Sequence, residues 1–194
     1  MEEEDVLRLF RESGALLDGH FQLSSGLHSS GYLQCALVLQ HPARAELLAK
    51  ALAEKIRSLR AATVISPALG GVIIGYEVAR SARLRSLFAE RQEGKLTLRR
   101  GFRLSPGERV VVVEDVVTTG GSTLETIGVV RETGANVVGA ISIIARGEVD
   151  PDFDVPFDTL ARVALPAYEP NKCPQCADKV QILMPGSRLS GRPV

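Results

Sequence analysis

The chain has 194 residues, 45% of them hydrophobic and 24% charged, with 23 basic and 23 acidic side chains. That balance allows one domain with a sizeable core and room for a small subdomain packed on it, and it excludes a disordered polyelectrolyte. The acidic start Met1-Glu2-Glu3-Glu4-Asp5 is unlike a secretory leader, and no apolar run approaches the roughly 20 residues of a membrane helix. A cytoplasmic protein, bound neither to membrane nor to nucleic acid, is therefore expected.

In chain order, Val6, Leu9 and Phe10 predict a first helix that Ser13-Gly14 can end. The polar, glycine-containing stretch Gly19 to Gly31 reads as turns. A second helix follows with Pro42 in its first turn and an apolar stripe of Leu48, Leu52, Ile56 and Leu59. Thr63 to Ser66 reads as a short strand running into Pro67-Ala68-Leu69-Gly70-Gly71, and Val72 to Arg83 as the next helix. Leu87-Phe88-Ala89 reads as a brief strand, and Lys95 to Phe102 as a hairpin reaching away from the body.

After the turn Ser105-Pro106-Gly107-Glu108, four consecutive valines, Val110 to Val113, do not alternate with polar residues. Both faces of that strand should be buried, as in a central parallel strand. A helix through about Thr133 and a buried strand from Val137 to Ala145 complete the pattern. Strands alternating with helices predict an α/β fold with a mostly parallel, Rossmann-like sheet flanked by helices.

Charge is uneven: nine basic residues from Arg80 to Arg109 are accompanied by only Glu90, Glu93 and Glu108. One cationic segment in a neutral chain suits a small polyanion better than a nucleic acid, and a solvated charged loop is the alternative. The most informative stretch runs from Val110 to Thr123. A buried strand leads to two carboxylates, Glu114 and Asp115, and then to Thr118-Thr119-Gly120-Gly121-Ser122-Thr123 opening a helix. Glycines let backbone approach a ligand, and free N–H groups at a helix start favour phosphate. Glu114 and Asp115 can accept hydrogen bonds from ribose hydroxyls, so one loop can hold a ribose 5-phosphate. The stretch is neither a Walker A loop nor Gly-x-Gly-x-x-Gly.

This stretch resembles the phosphoribosyl diphosphate (PRPP) signature of the type I phosphoribosyltransferases, and the resemblance to orotate phosphoribosyltransferases runs almost end to end. Phe21 to Gly26 is similar to an orotate-side loop, which implies contacts from Ser25, Tyr32 and Leu33. Ser66 to Gly71 resembles the pyrophosphate loop, implying PRPP contacts from Ala68, Leu69 and Gly70 and a non-proline cis peptide. Ala89 to Lys95 sits where the mobile catalytic loop belongs, implying catalytic roles for Lys95 and Arg91. Ile144-Ala145-Arg146-Gly147 matches the strand end whose arginine grips the orotate carboxylate, with Thr118 also on the orotate side. The resemblance further implies Mg²⁺, a small hood made largely by residues 1–40 and the C-terminal tail, and a homodimer sharing the catalytic loop.

The chain departs from the family pattern at Ser24 and Gly70, where lysines are common, and in a shorter catalytic loop with no histidine. Some readings stay open. Arg146 could pair with Glu148 or Asp150 instead, Arg91 and Lys95 could be solvated charges, and the base could be a purine. A regulatory PRPP sensor is a further alternative, although residues 1–40 make a poor DNA face. His20, His28 and His41 read as turn or surface residues with no metal pattern. Cys173-Pro174-Gln175-Cys176 has the spacing of half a zinc site, but with no second pair it reads as reduced cysteines in a turn.

Overall fold

The computed structural model describes residues 1–23, 25–147 and 149–184. The chain begins with α1 (Glu3–Glu12), β1 (Leu16–Gln22) and β2 (His28–Leu33), followed by α2 (Ala36–Leu39) and α3 (Pro42–Ile56). Then come β3 (Thr63–Pro67), α4 (Gly70–Ala82), β4 (Arg85–Gln92) and β5 (Lys95–Leu98). The second half contains β6 (Arg109–Val117), α5 (Gly121–Glu132), β7 (Asn136–Arg146), β8 (Phe157–Val163), β9 (Ala167–Tyr168) and α6 (Pro174–Ala177).

Six strands form the main sheet in the order β5-β4-β3-β6-β7-β8, every pair parallel except β4 with β5. The valine run explains the sandwich. Val111 and Val113 enter one core with α1, α3 and α4, while Val110 and Val112 enter the other with Ile127 and Val130 of α5. Both faces of β6 are therefore dry, which is why its sequence does not alternate. Leu48, Leu52 and Ile56 form the buried stripe of α3, and Val6 and Phe10 of α1 lie in the same core. Close helix–sheet packing needs glycine at position 75, where an added Cβ would lie 1.9 Å from Ser66 Oγ.

Three expectations about local structure change. The stretch from Gly19 to Gly31 is not a run of turns: most of it lies in β1 and β2, an antiparallel pair with a bulge between Asp18 and Phe21. Its polar residues conceal the strands because several of them, His20, His28 and Ser29, are buried against the C-terminal part of the chain. With β9 these strands make a separate three-stranded sheet, which the sequence reading missed together with β8. The strand read as Leu87 to Ala89 extends over eight residues and pairs with β5 through the two-residue turn Glu93-Gly94. Both turn residues have positive φ, 52° and 86°, the handedness that matches strand twist in a tight hairpin. Finally, Glu114 and Asp115 lie within β6, which runs on to Val117.

Candidate active site

Chain order reverses between β3 and β6: β4 lies on one side of that pair and β7 on the other. A crevice at such a switch point, beyond the carboxyl ends of the strands, is where open α/β sheets bind ligands. The pairing of β3 with β6 ends at Ile65 and Val112, so residues 114–117 pair only with β7 and border the crevice on their β3 side.

Two loops flank it. The first follows β3, where the Ala68–Leu69 peptide is cis and Leu69 is 86% exposed. An added Cβ at Gly70 would lie 2.8 Å from both carboxylate oxygens of Asp115, so this loop abuts the acidic pair. A lysine cannot take that position without displacing Asp115, a physical reason for the glycine here.

The second loop follows β6. Gly120 has φ +78°, and a Cβ there would lie 2.6 Å from the ring of buried Phe153. Only glycine fits, and it turns the chain into α5 so that the first amides of a twelve-residue helix face the crevice. A pocket of about 210 Å³ is lined by Glu114, residues 116–122, Arg91 and Glu125. A larger cleft of about 430 Å³ lies elsewhere, beside Arg57, Arg60 and Arg83, remote from these loops in the chain and containing none of their residues.

The two carboxylates are held against their preference for water. Burial, reinforced by the charge of Asp115, pushes Glu114 up to about 7, although the Thr123 hydroxyl donates to it and opposes the shift. Burial also raises Asp115, opposed by backbone amides and by the buried Cys35 thiol beside it. Further hydroxyl donors, such as those of a sugar, would favour the charged carboxylates and oppose the effect of burial.

The segment Ala89 to Lys95 is the end of β4, its turn and the first residue of β5, a short hairpin tip rather than a long loop. Arg91 reaches the pocket but is clamped to Glu125 by two hydrogen bonds of 3.0 Å and donates to Gly94 O at 2.6 Å. Glu90 is similarly held by Arg100 at 2.8 and 3.0 Å. Lys95 is exposed, opposite Gln92, with no ion pair among the described residues.

On the other side, Arg146 at the end of β7 is half-buried. Its guanidinium donates to Leu165 O at 3.2 Å and weakly to Ser29 Oγ at 3.4 Å, and no carboxylate pairs with it among the described residues. Asp150 is taken by Arg162, with distances of 2.6 and 2.7 Å, while Glu148 lies outside the described residues. Burial lowers the Arg146 pKa, the mark of a cation short of solvent and counter-charge. Tyr32 packs against Phe21 with ring centroids 5.8 Å apart, and Leu33 packs against the larger core. Ser25 is exposed at the β1–β2 turn, next to Ser24, which lies outside the described residues. Sequence reasoning missed Ser29, Leu165 and Cys35. The first two come from the small sheet and the segment before β9, which no local motif announced.

The chain's residues 36–155 match the family model described as phosphoribosyl transferase domain. It is 50% identical over 186 residues to the orotate phosphoribosyltransferase of Carboxydothermus hydrogenoformans, covering 95% of this chain and 97% of that one. The protein of the same name from Caldanaerobacter subterraneus is 48% identical over 188 residues, 97% of this chain and 99% of that one. Among solved structures, the orotate phosphoribosyltransferase of Aeropyrum pernix superposes with a TM-score of 0.67 at 26% identity, over 81% of this chain and 93% of that one. With a PRPP-type loop at the switch point of a doubly covered sheet and identity near one half over nearly all its length, the chain belongs to the phosphoribosyltransferase family and, within it, to the orotate phosphoribosyltransferases.

Proposed function

We propose that the chain transfers the ribose 5-phosphate of PRPP to orotate, giving orotidine 5′-monophosphate and pyrophosphate, a step of pyrimidine (UMP) synthesis. The observation that carries this reading is the juxtaposition of two half-buried carboxylates and a glycine-opened helix start at one crevice. Opposite in charge to the carboxylates, Arg146 stands unpaired by any described acid.

In this reading Glu114 and Asp115 accept hydrogen bonds from the ribose hydroxyls. Thr118, Thr119, Gly120, Gly121, Ser122 and Thr123 hold the 5-phosphate. Ala68, Leu69 and Gly70 border the diphosphate. Arg146 pairs with the orotate carboxylate, helped on the base side by Thr118, Ser25, Tyr32 and Leu33. The bond from the anomeric carbon to the diphosphate oxygen breaks as a base nitrogen bonds to that carbon and its N–H proton passes to solvent, and positive charge builds on the ribose ring in the transition state. Catalysis then depends on positioning and on cations near the departing pyrophosphate. Lys95, exposed and unpaired by described acids, neutralises that charge at the crevice of a neighbouring copy, reached by movement of the hairpin tip. Arg91, on the same tip, helps there once it releases Glu125.

The carboxylates of Glu114 and Asp115 are an oxygen donor set that fits Mg²⁺ and would hold it at the crevice. When bound, the ion would supply neutralisation of the leaving group's charge. The small sheet and the adjoining C-terminal segment act as the hood over the base. No helix among the described residues is long and apolar enough to cross a membrane, which is compatible with the cytoplasmic setting proposed here.

A homodimer is part of the proposal, with the hairpin tip contributing to the neighbouring site. Its support is an apolar groove of about 320 Å³ beside α4, where Ile73 and Tyr76 are 48% and 60% exposed next to Phe88 and Phe102. Tyr76→Glu is expected to shift the protein from dimer to monomer in sedimentation velocity. A wild-type protein that sediments as a monomer at all concentrations would remove the dimer.

The function itself is tested by incubating purified protein with Mg²⁺, PRPP and one of orotate, adenine, hypoxanthine, xanthine or uracil. Orotate alone should be consumed. Turnover of a purine instead would leave the PRPP site standing and overturn the role of Arg146. PRPP binding with no base consumed would favour a regulatory protein.

A further inference from the structure

Away from the crevice, four side chains from opposite ends of the sequence converge. His20 of β1 and His28 of β2 meet Cys173 and Cys176, and their four potential ligand atoms all lie within 4.8 Å of one another. His20 Nε2 is 3.1 Å from His28 Nδ1, 3.4 Å from Cys173 Sγ and 3.7 Å from Cys176 Sγ. His28 Nδ1 is 3.2 Å from Cys176 Sγ. Four atoms placed tetrahedrally around zinc at its usual bond lengths would be about 3.3–3.8 Å apart. Four of the six separations, at 3.1–3.7 Å, come close to that range, and all six lie within 4.8 Å, so one small ion can reach every ligand atom with a small inward shift.

The surroundings are those of a metal site. His20, His28 and Cys173 are 1%, 4% and 4% exposed. The outer nitrogen of His20, Nδ1, lies 2.8 Å from Val180 O, so an Nδ1–H donated there leaves Nε2 as the lone-pair nitrogen facing the cluster. Such outer hydrogen bonds orient metal-bound histidines. The backbone supports the same junction, with Leu183 N donating to His20 O at 2.8 Å and Gln22 N donating to Leu183 O at 2.9 Å.

We propose that His20, His28, Cys173 and Cys176 bind one structural zinc ion that fastens the segment after β9 to the β1–β2 hairpin. Two nitrogens and two thiolates in a closed tetrahedron select zinc among common cations, and two thiolates balance its charge so that the buried site is neutral. Binding converts two thiols to thiolates and releases two protons to solvent, with no change of oxidation state. The site supplies no open position for a reacting water. It corrects the reading of His20 and His28 as surface residues and completes the Cys-x-x-Cys pair within one chain.

The test begins with protein purified under reducing conditions without chelators. Elemental analysis should find one equivalent of zinc per chain, and cobalt(II) substitution should give the absorption bands of a tetrahedral thiolate site. Stripping the wild-type protein with a chelator and restoring Mg²⁺ should lower Tm by about 10 °C or more. Zinc, but not further Mg²⁺, should reverse the loss. The variant Cys173→Ser with Cys176→Ser should retain no zinc, and if it fails to fold, stripping and reloading of the wild-type chain decides. Failure to take up stoichiometric zinc even on reloading overturns the proposal. So does iron as the resident metal, or a Cys173–Cys176 disulfide in the protein purified under reducing conditions.

Discussion

Replacing Arg146 with alanine is expected to lower kcat/KM for orotate by about 10²- to 10³-fold, while the dissociation constant for PRPP moves little. The magnitude is what truncating one partner of a desolvated charge pair costs, about 3–4 kcal/mol. The asymmetry follows from position. Arg146 ends β7 and donates to Leu165 O and Ser29 Oγ, groups of the small sheet and its neighbourhood, whereas the phosphate loop follows β6. A lysine at 146 should restore only part of the activity, because it keeps the charge but not the planar fork that matches a carboxylate. Steady-state kinetics with each substrate varied in turn, beside direct PRPP binding, reads both effects. Equal losses for both substrates would mean that Arg146 supports the crevice as a whole and does not select the base.

Glu114→Gln should make the protein more stable and much less active. Burial raises the Glu114 carboxyl to about 7, against 4.5 for the ordinary group. Between those values the unfolded chain releases a proton that the folded chain retains, so stability falls as pH rises through the window from 4.5 to 7. Above pH 7 the penalty is complete, at most about 3 kcal/mol from the shift and smaller with relaxation. Glutamine carries no such penalty and can still accept from Thr123. The variant should therefore melt higher than wild type at pH 8, by a margin that shrinks as pH falls and vanishes below about pH 4.5. These melts are measured without PRPP or Mg²⁺. The same substitution should weaken PRPP binding at pH 8 by about 10- to 100-fold, since a charged acceptor of the ribose hydroxyls is lost. Wild-type affinity for PRPP should fall as pH drops below 7, and the variant's should fall less. A variant that is less stable than wild type at pH 8 would show that Glu114 is held by interactions stronger than its desolvation.

These two residues illustrate how far the chain can be read from its order of amino acids. The valine run, the acidic pair and Thr118 to Thr123 are contiguous, so their strand–loop–helix geometry is enforced locally and is visible in the sequence. The same holds for α3, whose stripe repeats at helical spacing, and for the Arg146 strand end. The register of the sheet, by contrast, decides that the loops after β3 and β6 face one crevice, and only there does Gly70 meet Asp115. The hairpin tip is not legible locally because Glu93-Gly94 can open a loop or close a two-residue turn. The pairing of β4 with β5, Gln92 opposite Lys95, gives the latter.

The small sheet was the least legible part. Its strands are short and polar, and they are buried by a segment more than a hundred residues downstream, so no periodicity within the window betrays them. Composition and local pattern by themselves determined an α/β chain with a PRPP-type loop, because those features depend on neighbours in sequence. Tertiary structure alone decided that Arg146 has no described acid for a partner and that two histidines complete a Cys-x-x-Cys pair. Both depend on side chains brought together across about 120 to 155 residues, and a linear sequence holds no distance between such groups until the core forms.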